Sequence, residues 1–365
     1  MKRMILVVLI CICVCAAQSP VYAADVFSEQ QTQGQTAMRR ALDGESQALL
    51  DGLSDGKDLT QTVSQLLRRT HTEQQGAITE AVGALTGAAV ILLLCGCAES
   101  FSKTSRISPL ILQLAGALGL TAAVYQTLTG LTSLCRETTE QIQIFSKSML
   151  PVMTTAISLT GAPASAALVY SGTMFALDFC VSLVTGVYIP AVSAYVAIVT
   201  VDTAVGNDML TRLAACIKWL IVSSLKLLLT LFFFYITISG SVSHGMDAGT
   251  VKAAKFALNS SVPLVGSILS GATDSVLAGA VILKNSLGVF GMLCVCAICL
   301  VPFLRIGVNY LVFKIGAAVL SPICPKSLGG LVDGIADSMG MILGMLGSCS
   351  AILFFELVYS VVMTT

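Results

Sequence analysis

Trp219–Ser239 reads WLIVSSLKLLLTLFFFYITIS, with Lys226 as its one charged side chain. A membrane span needs about 20 mainly apolar residues, and a helix that is apolar on every side is buried in protein or in lipid. The stretch therefore reads as a transmembrane helix. The whole chain agrees with it. Its 365 residues are 55% hydrophobic and 11% charged, with mean hydropathy +0.87, whereas soluble domains carry about 25% charged residues. A globular aqueous enzyme, a disordered chain and a coiled coil are excluded. Lys+Arg and Asp+Glu are both 20, so no basic excess invites nucleic acid.

Working outward, Ala81–Cys97, Leu110–Leu131, Leu287–Val312 and Met339–Val362 are further spans. Met149–Val205 is long enough for two full spans and a half-span, with its break at Gly161-Ala162-Pro163. The sequence predicts an all-α polytopic membrane protein with about seven transmembrane helices, six to nine being compatible with it. The count turns on 149–163, 262–283 and 306–322, which Pro151, Pro163, Pro263, Gly266, Pro322 and Pro325 interrupt. Such segments are either broken helices sheltered by protein, as along transporter substrate paths, or loops at the membrane surface.

Met1-Lys2-Arg3, the apolar run Met4–Ala17 and Val21-Tyr22-Ala23 have the order of a cleavable secretory signal, with cleavage expected after Ala23. An uncleaved first span is the competing reading. Residues 24–76 are the only extended polar region. Leu59, Val63, Leu66 and Leu67 share one helical face, and Asp58 with Gln61 forms an N-cap box. So few large apolar groups make no independent core, so this region is expected to be exported and amphipathic, resting on the membrane or a partner. Export would place Lys103 and Arg106, between the first two spans, in the cytoplasm, as the positive-inside rule asks. The expected organisation is thus 1–23 signal peptide, 24–76 polar helical region and 77–365 multispanning domain.

The chemistry-bearing motifs are missing. No HExxH, GxSxG, Walker or GxGxxG pattern occurs, and His71 and His244 are isolated, so neither an enzyme nor a cofactor or metal site is expected. Cys296-x-x-Cys299 has no second pair, and the 13 cysteines read as small apolar residues of membrane helices. What remain are ionisable residues inside apolar runs: Asp178, Asp202, Lys226 and Glu356. Each costs about 2.5–3.5 kcal/mol at mid-helix, so they are expected to face the bundle interior or water as an intramembrane polar path. Asp178 has no local charge to pair with and is the leading candidate for a buried functional carboxylate, with an interhelical hydrogen bond as the alternative. Lys252 and Lys255 share a helical face suited to lipid headgroups or to a partner's acidic surface. A short echo links Gly271-x-x-Asp274-Ser275 with Gly334-x-x-Asp337-Ser338.

The stretch 251–291, VKAAKFALNSSVPLVGSILSGATDSVLAGAVILKNSLGVFG, resembles the stage III sporulation protein AE family of endospore-forming bacteria. So do Lys147-Ser-Met-Leu-Pro151, Gly161-Ala-Pro163-Ala-Ser-Ala and the order of signal, polar helical stretch and spans. The resemblance covers most of the chain. It implies a multi-pass protein of the mother-cell membrane surrounding the forespore, needed for forespore development. There it would be a subunit of a secretion-like channel complex. The implied partners are ring-forming and ATPase-like subunits of the same A operon, a forespore-side channel protein and the lipid bilayer. A standalone secondary transporter of a small solute is the alternative.

Overall fold

The computed structural model describes residues 59–102, 109–160, 162–261, 266–320, Pro322 and 325–362. Among them are seven α-helices and no strand: α1 (Leu59–Ser102), α2 (Pro109–Leu159), α3 (Pro163–Leu183), α4 (Ile189–Val205), α5 (Asp208–Ser261), α6 (Gly266–Leu320) and α7 (Lys326–Val362). A π-helical turn, Val184–Tyr188, joins α3 to α4 without a break. Pro190 explains it. Its ring excludes the carbonyl of Gly186 and it brings no N–H, so the chain widens by one residue just before it. Ile189 N–H then bonds Val184 O, five residues back.

Six helices are thus long and apolar enough to cross a membrane, α3 and α4 acting as one. That lies within the expected range, one below its centre; the signal-peptide segment 1–23 lies outside the described residues. The break at 160–162 is where the sequence places it. Pro163 sits at the start of α3, and Ala162 before it is non-helical (φ −118°, ψ 56°). Pro322 and Pro325 fall between α6 and α7, and Pro263 lies outside the described residues. Pro151 differs from expectation, since it lies inside the continuous α2, and 306–320 continues α6, past Pro302, rather than forming a re-entrant segment. In tightly packed apolar helices the neighbours compensate the lost hydrogen bond. α1 runs unbroken from Leu59 into the first span, and the expected N-cap Asp58 lies outside the described residues.

α7 is the most buried of the spans and forms the axis of the bundle. α6 runs antiparallel to it, with Lys314 beside Asp333, Tyr310 on Gly340 and Phe303 on Gly347. α5 runs parallel, through Lys218–Asp337, Leu225 on Gly344 and Phe233–Phe355. α2 is also parallel, placing Leu328 by Gly116 and Cys135 by Ile342. The α3–α4 rod is antiparallel, with Cys180 beside Cys349 and Val199 on Gly334. α1 lies along α6, joined by Glu80–Arg305 and by Leu85 on Gly316.

Packing, rather than hydrophobic transfer, must hold such helices together in lipid. Small residues serve this. At Gly291 an added Cβ would collide with the Met149 thioether, so α2 and α6 meet there only because no side chain intervenes. Leu331, Ile342, Met345, Leu346, Ile352, Leu353 and Leu357 of α7 are fully buried. Interhelical hydroxyl bonds add specificity: Thr121 to Thr200 at 2.8 Å, Tyr188 to Ser224 at 2.8 Å and Tyr235 to Leu168 O at 2.6 Å. Between α4 and α5 the chain reverses at Gly206, whose φ of 66° suits glycine and whose N–H bonds Asp202 O.

Candidate functional site: a charge network and a buried carboxylate

The four intramembrane candidates do not assemble into one path; each has its own surroundings. Asp178 is half-exposed rather than buried, and its partners come from α2. Gln143 Nε2 donates to Asp178 Oδ1 at 2.6 Å, and Lys147 Nζ stands 3.3 Å away. Sequence neighbours could not supply these contacts, because they arise from the α2–α3 hairpin. Asp202 accepts from Thr211 Oγ1 at 2.8 Å across the Gly206 turn, an exposed contact at one end of the bundle. Lys226 is exposed on the outer face of α5. Only Glu356 is buried. Its Oε1 accepts from Ser360 Oγ at 3.2 Å, one turn on, and its Oε2 has no partner. Lys252 and Lys255 fall on the backbone of α5, and their side chains lie outside the described residues.

The larger electrostatic feature comprises residues the sequence reading left out. Asp337 receives Lys218 Nζ at 2.5 Å and Lys314 Nζ at 3.0 Å, one on each carboxylate oxygen, and Lys314 also reaches Asp333 at 2.6 Å. Two cations and two carboxylates from α5, α6 and α7 form a closed, net-neutral network. Buried Tyr195 of α4 is within electrostatic reach of Asp333, Asp337 and Lys314. The two lysines and Asp333 are half-exposed and Asp337 is mostly buried, so the pairing matters most for Asp337, which left alone would be a desolvated ion. Its one sequence signal was the Gly334-x-x-Asp337-Ser338 echo. Gly334 lets Val199 approach, as a Cβ there would lie 2.7 Å from it.

At the opposite end of the same helix pair, Lys284 of α6 is 1% exposed and donates to Val361 O at 3.0 Å. A cation on the last carbonyls of α7 matches the negative end of that helix. Lys284 was also missed, because Pro263 and Gly266 had placed the segment before Leu287 among the ambiguous ones. Among the described residues no group of three or more His, Cys, Asp or Glu is placed to hold a metal. Cys180 and Cys349 are free thiols 3.2 Å apart in the core, and Cys296 and Cys299 point to different environments, one exposed and one buried.

Apolar rods packed in alternating directions, with internal charges that neutralise one another, define a multi-pass α-helical membrane protein. The stage III sporulation protein AE family matches residues 46–365, and the chain belongs to that family. It is 25% identical over 222 residues to the stage III sporulation protein AE of Bacillus subtilis (strain 168), a match covering 60% of this chain. The match spans a little over half, 56%, of the relative's own length. No solved structure matches. Family and architecture together assign the chain to sporulation and to a membrane.

Proposed function

We propose that this chain is a membrane subunit of the secretion or channel complex that links mother cell and forespore, acting as platform or pore component and not as an enzyme. The observation that carries this reading is the family match over residues 46–365, on a bundle in which charges from different helices pair, as Lys218, Lys314, Asp333 and Asp337 do. On this reading the protein lies in the mother-cell membrane around the forespore. Its partners are the ring-forming and ATPase-like A-operon proteins and a forespore-side channel protein, and it needs no cofactor. Its mature form begins near Ala24 with residues 24–76 exported, and Lys252 and Lys255 meet headgroups or a partner.

Capture of the tagged chain from sporulating cells, followed by mass spectrometry, should recover those operon products. N-terminal sequencing from the membrane fraction should begin at Ala24, and an intact Met1 would refute the cleaved signal. A second reading, a secondary transporter acting alone, is favoured by Glu356 and its unpartnered oxygen. Reconstitution separates the two. Solute flux by the purified chain alone supports the transporter, and an inert chain that co-purifies with operon partners supports the subunit.

A further inference from the structure

On the outer surface of α5, Trp219, Leu220, Leu227, Leu231 and Phe234 are exposed. Lys226 stands exposed among them and has no side-chain partner among the described residues. It stands about 12 Å along the axis from Lys218, the nearest charge on its own helix, and about 20 Å from Ser239, at 1.5 Å per residue. A lysine stem does not snorkel that far, and a cation facing hydrocarbon at such depth is costly.

α2 presents the complement. Glu137 and Glu140 are exposed on its outer face. Glu137 is bonded only by Ser133 of its own helix, at 2.8 Å, and Glu140 has no partner among the described residues. Arg136 flanks them, leaving a patch of net −1. The surrounding face is small, with Ser133 and with Gly130, where an added Cβ would meet nothing. Heights along the bundle agree as well. Cys135 touches Ile342, which puts Glu137 near Gly344, and Leu225, next to Lys226, lies against Gly344.

α3 packs between α2 and α5, so the two charged faces belong to different sides of one molecule. Rotation about the membrane normal keeps depth unchanged, and brings α5 of one copy to α2 of the next at equal height. Two different faces meeting in this way form a head-to-tail contact, which closes as a ring when the rotation between copies divides a full turn.

We propose that copies of this chain assemble side by side in the membrane, Lys226 of one lying against Glu137 and Glu140 of the next. The inference is independent of which complex the protein serves. Two differently tagged full-length chains are co-expressed in a host lacking the family, solubilised in mild detergent and captured through one tag. Wild type should capture wild type. Lys226→Glu should not capture itself, nor should the Glu137→Lys/Glu140→Lys chain, each falling at least tenfold at equal membrane level. The two variants together should capture one another, since both contacts are then complementary. Absence of wild-type self-capture overturns the proposal, as does equal capture in all combinations or failure of the mixed pair. A variant that fails to reach the membrane is replaced by Lys226→Gln and Glu137→Gln/Glu140→Gln, each expected to weaken self-capture at normal level. Full self-capture by both of these overturns it equally.

Discussion

The α6–α7 pair holds charge at each end, in opposite fashions. At the Lys314 end, two lysines and two aspartates neutralise one another across three helices, and every ion has a counter-ion within 3.0 Å. At the Lys284 end, among the described residues, a fully buried carboxyl has one hydroxyl partner and one bare oxygen, and a buried ammonium leans on one carbonyl. The first arrangement is complete and gains nothing from a further ligand. The second has unused hydrogen-bonding capacity in a place where unused capacity is expensive. Paired charge at one end therefore reads as a staple, and the isolated carboxyl at the other as the group free to work.

The comparison breaks most visibly at Asp337. Asp337→Leu removes the partner of half-exposed Lys218 and one of the two partners of Lys314, and loss of hydrogen bonds to a charged group costs about 1.5–3 kcal/mol. The expected result is sharply lowered membrane level and thermal stability in detergent. The double variant Asp337→Leu/Lys218→Met should recover part of the loss, whereas strictly additive losses would show that the two do not act as a network. At the opposite end, Gly291→Leu forces a side chain into the Met149 contact, and overpacking of this kind costs about 1–3 kcal/mol. A lowered melting temperature is the readout, and an unchanged one would show that α2 and α6 separate there without cost.

How far these sites could be read from the sequence depends on where a hydropathy window stops. The all-α class, the span order and the break before Pro163 all follow from apolar runs and one proline, because those signals are local. The network is hidden by the same logic. Spans drawn at Trp219, Val312 and Met339 end just short of Lys218, Lys314 and Asp337, since a charge near the end of an apolar run reads as its boundary. Those charges extend the helices rather than ending them, because they neutralise partners from distant parts of the chain. Asp178 is the reverse case. Its run contains no counter-ion, so it looked isolated until α2 supplied Gln143 and Lys147.

Two milder substitutions sharpen the contrast. Asp178→Asn loses the half-exposed Lys147 pair, worth about 0–1 kcal/mol, and keeps a group for Gln143. Near-normal level and normal sporulation are expected, and a sporulation block at normal level would return Asp178 to the functional candidates. Glu356→Gln preserves volume and hydrogen bonding while removing the ionisable group, so protein level and melting temperature should hardly move. If the isolated carboxyl works, spore yield falls at unchanged level. Wild-type yield would make Glu356 as structural as Asp337.

The alternating directions of the six rods also fix a parity. α1 runs with α6, and α6 runs against α7, so Leu59 and Val362 stand at the same end of the bundle. The 160–162 turn and Ser261 belong to that end too, whereas the Gly206 turn and the 321–325 connection belong to the other. With an even number of crossings, reporters placed beside Leu59 and beside Val362 must answer to the same aqueous compartment. One compartment thus meets the helical overhangs of α1 and α5, and the other meets the Gly206 turn. The side with helix to grip by is also the side on which Leu59 and Val362 both stand.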